Sequence, residues 1–381
     1  MKKSPKIVAL KIKERIENNT LRSLGVTTDL VDFSSNDYLG FSTSETVFDA
    51  AHSYLLANEL KKNGATGSRL LSGNHQLHDS VEVMLCTFHE SEAATIFNSG
   101  YDANIGFFSS VPQRGDIILY DELIHASIRD GITMSNAKSY KFKHNNIEHL
   151  EGMLKRVRHD GTIYVVTESV FSMDGDSSNL MAMTKLCQKH KAYMIVDEAH
   201  AVGVFGKHGC GEVQRLGIQE DVFARIVTFG KALGCHGATI LGSNELRQYL
   251  INFARSFIYT TALPPHTLAT IKSAYDVMMN DDSQIKKLQH NIHYFKEQLK
   301  HHNLLGICIN SNSAIHSCII KGTKNVKLIA YKLNEKGFDV KPIVSPTVPK
   351  NQERLRFCLH AYNSEQEITD VVSLLSTFVQ Q

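Results

Sequence analysis

From about residue 45 to 260, short apolar runs alternate with stretches whose apolar residues recur every three or four positions. The runs at 94–97, 117–120, 163–167, 193–196, 226–229 and 239–241 have the length of buried strands. Between them, patterns such as Ile147, Leu150, Leu154 and Val157 mark one face of a helix. Strands that alternate with helices predict βαβ units and a mostly parallel sheet covered on both faces. Ahead of this region, residues 1–45 are expected to form an arm. It begins as a charged helix over the first turns, with Ile7, Leu10 and Ile16 at near-helical spacing. After Pro264 and Pro265 come two long helical patterns, roughly 266–280 and 283–300. Shorter strands are expected around Ile307, Ile319, Val340 and Leu355, and a closing helix from Glu365. The pattern therefore predicts an α/β fold, with a large domain over 46–265 and a smaller α+β domain over 266–381.

Composition narrows the function. The chain has 381 residues, 42% hydrophobic and 21% charged, ordinary values for a globular protein with a large core. Lys and Arg total 41 against 39 Asp and Glu, a net charge of +2, which gives no sign of nucleic-acid binding. No segment approaches the roughly 18 apolar residues of a membrane span. The apolar run 7–10 is too short for the core of a secretion signal. The seven cysteines contain no C-x-x-C pair, so neither a zinc site nor a disulfide framework is expected. The simplest placement is a reducing cytoplasm.

The stretch Asp197-Glu198-Ala199-His200 spells a helicase signature. That reading needs an upstream Gly-x-x-x-x-Gly-Lys-[Ser/Thr] loop to cradle the nucleotide phosphates. The two Gly-Lys pairs, at Gly206 and Gly230, both follow Asp197. Neither has the leading glycine, since Ala201 and Arg225 stand there instead. The helicase reading fails.

Pyridoxal 5′-phosphate (PLP) chemistry makes different demands. A lysine must bind the aldehyde, and an acid must keep the pyridine nitrogen protonated. Donors must hold the phosphate, and a flat group must pack on the ring. Asp197 follows an apolar strand, at the carboxyl end where α/β sheets bind ligands. His200 stands three residues on, within reach of the ring's phenolic oxygen. Lys231 follows a short strand and is flanked by Gly230 and Gly234, while Thr228 could give its hydroxyl to the phosphate. The N–H groups of Gly100 and Tyr101 would open a helix toward an anion. His125, after another strand, could stack on the ring. Each signal alone has an ordinary structural explanation; their order and strand-end placement make the combination specific.

These residues carry a family resemblance. The stretches FSSNDYLGFS (33–42), GATGSRLLSGNHQLH (64–78), TESVFSMDGD (167–176), VDEAHAVGVFGKHGCG (196–211), TFGKALGCHGA (228–238), FIYTTALPP (257–265), SPTVP (345–349) and RLRFCLHA (354–361) resemble the α-oxoamine synthases. These are PLP enzymes of the aspartate-aminotransferase fold (fold type I). The resemblance implies that Lys231 binds the aldehyde and moves the α-proton, that Asp197 pairs with the pyridinium, and that His125 stacks on the ring. Ser172 and His200 would flank the ring oxygen, and Gly100, Tyr101 and Thr228 would hold the phosphate. Thr261 would reach the phosphate in a neighbouring subunit, making a homodimer obligatory. Asn36 and Arg356 would lie near the substrate carboxylate, with Thr347 and Arg22 as further substrate contacts.

The resemblance also implies a reaction class, the decarboxylative condensation of an amino acid with an acyl thioester. Phe229, Cys235 and His236 make the Lys231 motif most similar to the biotin-pathway branch, which joins L-alanine to a pimeloyl thioester on CoA or acyl carrier protein. The alternatives are the branch that uses glycine and acetyl-CoA, an aminotransferase on the same fold, and a PLP-fold protein whose site has decayed.

Overall fold

The computed structural model describes residues 5–25, 29–158 and 160–380. Strands are numbered in chain order, starting with the two-residue β1 (Val31–Asp32). A seven-stranded sheet follows, from β2 (Ala93–Phe97), β3 (Ile117–Asp121), β4 (Lys138–Phe142), β5 (Ile163–Glu168), β6 (Tyr193–Asp197), β7 (Ala224–Thr228) and β8 (Ala238–Gly242). Their spatial order is β2-β8-β7-β6-β5-β3-β4. The pairs β4/β3, β3/β5, β5/β6 and β6/β7 are parallel, and β8 runs antiparallel to both its neighbours. This is the mostly parallel sheet that the alternating pattern predicts.

Side chains alternate between the two faces of a strand. Ile118, Val166, Ile195 and Ile226 pack on one side against the helices Gly100–Ser110, Ala126–Met134 and Asn244–Phe253. Leu119, Val165 and Val196 pack on the other, against Ile147–Arg156 and Leu180–His190. With helices on both faces, the carboxyl ends of β5, β6 and β7 bring Glu168, Asp197 and Thr228 to one rim of the sheet.

The C-terminal region begins with the expected long helices, Pro265–Asn280 and Ser283–His301. A second sheet, in the order β11-β12-β9, joins β9 (Ile315–Ile319), β11 (Lys341–Ile343) and β12 (Arg354–Cys358) in antiparallel pairs. The short strand β10 (Phe338–Asp339) pairs with β1 in parallel, so the N-terminal segment is hydrogen-bonded into this region. The amphipathic helix Lys6–Glu17 buries no residue. The closing helix Glu365–Val379 starts with a capping box between Ser364 and Glu367.

Three sequence expectations need correction. Ile307 lies in a 3-10 turn, Leu305–Ile307, and only Cys308 beyond it makes an isolated bridge, to Cys318. That bridge brings the two Cα atoms to 4.1 Å and pairs Cys308 with Cys318 in a disulfide, where the spacing had suggested none. The edge strand β4 was not expected, because four of its five residues, Lys138–Tyr140 and Lys141, face solvent and form no apolar run. Among the described residues, no helix is long and apolar enough to cross a membrane.

Candidate active site

Lys231 follows β7 in a turn made possible by Gly234, whose φ of +60° suits a residue without a side chain. Its Nζ lies 2.6 Å from His200 Nε2. Burial lowers the amine to about 8, against the opposing pull of the Asp197 and Glu168 carboxylates. His200 is buried, and burial followed by the Lys231 and Arg356 charges holds it well below its ordinary value. A neutral imidazole donates from one nitrogen and accepts at the other. His200 Nδ1 is 2.7 Å from the Tyr38 hydroxyl, which in turn donates to Asn36 Oδ1 at 3.2 Å. Arg356 Nη2 donates to the same Asn36 oxygen at 2.9 Å, and its Nε donates to the Ser172 carbonyl at 2.7 Å. One hydrogen-bonded chain therefore runs from Lys231 to Arg356.

Asp197 terminates β6 and is 6% exposed. Its Oδ1 accepts the Ala199 N–H at 2.9 Å, and its Oδ2 accepts from Asn104 Nδ2 at 3.1 Å. Asn104 Nδ2 also donates to Ser127 Oγ at 3.0 Å, which is 2.7 Å from His125 Nδ1. That nitrogen accepts the Ser127 N–H at 3.2 Å, so the proton of the neutral ring sits on Nε2. Burial favours that neutral form, lowering His125 despite the nearby Asp197. Glu168 lies opposite Asp197 in the β5–β6 register, and its Oε1 accepts the backbone N–H of His125. Burial, and then the neighbouring Asp197, push Glu168 well above the carboxylate range.

The helix Gly100–Ser110 opens beside Thr228. Ser99 caps it by accepting the Asp102 N–H, and a Cβ added at Gly100 would sit 3.5 Å from Thr228 Oγ1. The first N–H groups of a helix have no partner within it, so this end is built for an anion. Arg22 reaches the site from the N-terminal segment, donating to Thr347 Oγ1 at 3.3 Å. Both line a cavity of about 380 Å³ together with His125, Ser172 and Phe171. A larger cavity of about 940 Å³, beside Asp37 and Asp281, is lined by none of the expected site residues.

Two expected residues stand apart. The Tyr101 side chain is 49% exposed and its hydroxyl donates to Asp130, so only its backbone faces the anion position. Thr261 is exposed, and its carbonyl accepts from Asn98 Nδ2 at 2.7 Å, with no bond to the Lys231 group. Sequence reasoning missed Glu168, Asn104 and Tyr38. Glu168 carried the same signal as Asp197, a carboxylate closing an apolar strand.

The donor set fits PLP. It offers a buried amine of lowered basicity, a carboxylate fixed by two donors, a neutral imidazole, and a helix N-terminus next to a hydroxyl. A buried acceptor beside Asp197, Asn104 Oδ1, has no hydrogen-bond partner among the described residues. The sequence profile described as aminotransferase class I and II matches residues 28–375. The chain belongs to that family. It is similar to the 8-amino-7-oxononanoate synthase of Emericella nidulans, 39% identical over 375 residues that cover 92% of this chain and 90% of the relative. A putative 8-amino-7-oxononanoate synthase of Bacillus cereus (strain Q1) is 38% identical over 343 residues, covering 90% and 85%. Among solved structures, a variant of serine palmitoyltransferase from S. paucimobilis, with a bound PLP–myriocin aldimine, superposes with a TM-score of 0.89 at 25% identity, covering 98% of this chain and 97% of that one. The 8-amino-7-oxononanoate synthase of Francisella tularensis gives 0.78 at 30% identity, covering 92% and 98%. This family member is thus a PLP-dependent enzyme of the α-oxoamine synthase kind, with fold type I architecture.

Proposed function

We propose that this enzyme condenses L-alanine with a pimeloyl thioester, carried by CoA or acyl carrier protein, to give 8-amino-7-oxononanoate, CO2 and the free thiol. The observation that carries the reading is the Lys231 amine, bonded to His200 and subject to the Asp197 and Glu168 charges, together with a cavity bordered by Arg22, Thr347, Ser172 and His125. The names of the relatives support the same product, and with it a part in biotin synthesis.

Bound PLP supplies an electron sink for the α-carbon of the amino acid. Lys231 would hold the aldehyde until the substrate's amine displaces it, and its freed amine, lowered to about 8, would then take and return the α-proton near neutrality. Asp197 keeps the pyridine nitrogen protonated, with Asn104 and the Ala199 N–H fixing its orientation. His125 would pack on the ring, and Ser172 and His200 would hold its phenolic oxygen. The N–H groups of Gly100 and Tyr101 and the Thr228 hydroxyl bind the phosphate, and Thr261 from a second copy completes that cradle in a homodimer. Arg356, oriented by Asn36, presents a planar fork that matches two carboxylate oxygens. Arg22 and Thr347, bonded to each other on the cavity wall, would be further substrate contacts. We assign the protein to the cytoplasm and the chain to an arm (1–45), a cofactor domain (46–265) and a C-terminal domain (266–381).

The serine palmitoyltransferase neighbours justify a wider test of substrates. Thiol release is measured with alanine, glycine or serine against pimeloyl, acetyl and palmitoyl thioesters. Fast release with alanine and the pimeloyl thioester alone is expected. Release only with glycine and acetyl-CoA, or only with serine and the palmitoyl thioester, overturns the substrate pair. Keto acid without thiol overturns the reaction.

A further inference from the structure

His144 takes no part in the chemistry above, yet it is held between the two loops that carry His125 and Ser172. Its Nδ1 lies 2.9 Å from Asp121 Oδ1 and its Nε2 lies 2.8 Å from Asp176 Oδ2. Ionised carboxylates only accept hydrogen bonds, and a neutral imidazole has a single N–H. Bonding both partners therefore requires the imidazolium, which donates from both nitrogens.

The next residue repeats the bridge. Asn145 donates its backbone N–H to Asp121 Oδ2 at 2.9 Å and its Nδ2 to Asp176 Oδ2 at 2.7 Å. Asp121 ends β3 and accepts the Leu123 N–H at 2.8 Å, shaping the short segment that leads to His125. The Asp176 carbonyl accepts the Phe171 N–H at 3.0 Å, and Gly175 donates back to the Phe171 carbonyl at 2.8 Å, closing the turn that contains Ser172. The His144 ring packs edge-on against Phe171, with centroids 4.5 Å apart. These loops leave neighbouring strands, and the hydrogen bonds of His144 and Asn145 tie them together.

We propose that His144 is a positioning residue: by bonding Asp121 and Asp176 at once, it keeps the His125 and Ser172 loops in register and so sets how both residues meet the cofactor ring. The proposal rests on the reading of His125 and Ser172 as ring contacts. A group that orients others from behind changes the geometry of the bound ring without touching it.

The test uses the PLP-loaded protein and compares His144→Gln, His144→Phe, Asp176→Asn and the double variant His144→Gln/Asp176→Asn, with His125→Ala as reference. Circular dichroism in the cofactor absorption band reads ring orientation, and kcat, KM and the melting temperature are measured alongside. A glutamine amide can donate toward Asp121 while turning its carbonyl toward position 176, where Asp176→Asn supplies a donor. His144→Gln is expected to lose about half of the cofactor-band signal and about tenfold in kcat, with KM for alanine changed less. The double variant is expected to recover much of both losses, the sign of a direct pairwise interaction. Should His144→Phe fail to fold, the glutamine pair decides alone. The proposal is overturned if His144→Gln keeps both signal and kcat within about twofold of the parent, or if the double variant is no better than the single. An unchanged cofactor band in His125→Ala overturns the ring-contact reading and this proposal with it. A changed band there with an unchanged one in His144→Gln overturns the proposal alone.

Discussion

The four residues that spell a helicase signature divide a different task among them. Asp197 points into the site, and the Ala199 N–H holds its carboxylate. His200 contacts Lys231. Glu198 turns away and accepts the N–H groups of Glu212 and Val213 at 2.7 and 2.9 Å, anchoring the following loop. Asp197 and Glu168 are both buried carboxylates at strand ends, yet their substitutions should differ. Burial and the neighbouring Asp197 hold Glu168 well above the carboxylate range, so the site leans less on its charge than on that of Asp197, and Glu168→Gln should preserve kcat at pH 7 to within about threefold. Asp197→Asn removes the charge opposite the pyridinium and should lower kcat by about 10²-fold or more, with a weakened cofactor absorbance. Comparing the two variants at equal PLP occupancy checks both expectations. Lys231, Asp197 and His125 were legible because each follows a short apolar strand in the sequence. Asn104 and Tyr38 were not, since their roles lie in bonds to residues remote along the chain.

At the scale of elements, the periodic pattern revealed buried strands and long helices and missed what periodicity does not encode. β4 escaped because it is an exposed edge, and β1 because two residues make no pattern. The turn over 171–176 depends on Gly175, which has φ +78° and on which a Cβ would strike the Ile315 carbonyl oxygen. Gly175→Ala should destabilise the protein by about 2 kcal/mol or more, seen as a lower melting temperature. His144 beside it gives a pH signature. Burial pulls its ring down, but the bonds to Asp121 and Asp176 outweigh this and raise it to about 10 from 6.5. Glu122, which accepts the His144 backbone N–H, and Asp174, paired with Arg354, are the other charges around it. A raised folded value means that the stabilisation is complete below about pH 6.5 and is lost as the pH passes about 10. The melting-temperature gap between the parent and His144→Gln should therefore be widest at pH 6 and close toward pH 10.

For the whole molecule, the exposed positions of Thr261, Leu70 and Leu71 are consistent with the proposed homodimer; the two leucines are 49% and 84% exposed. A site shared between copies makes a quantitative prediction. Lys231→Ala and Thr261→Asp proteins, each inactive alone, should recover about a quarter of parental activity when mixed through unfolding and refolding. Half the dimers would then be mixed, each with one intact site of two. No recovery would show that each copy's site is self-contained.

The pairing of β1 with β10, and the bond from Arg356 to Asn36, also impose an order in time. The seven-stranded sheet has all its strands once Gly242 is synthesised, whereas Asn36 has no arginine to meet until Arg356 follows. At about 5–20 residues per second, that interval lasts several seconds or longer. On the proposed reading, the residues that one copy gives to the cofactor ring and phosphate, from Gly100 to Lys231, are all synthesised before Arg356, so the nascent chain would carry its own share of the cofactor's grip before it could hold an amino acid.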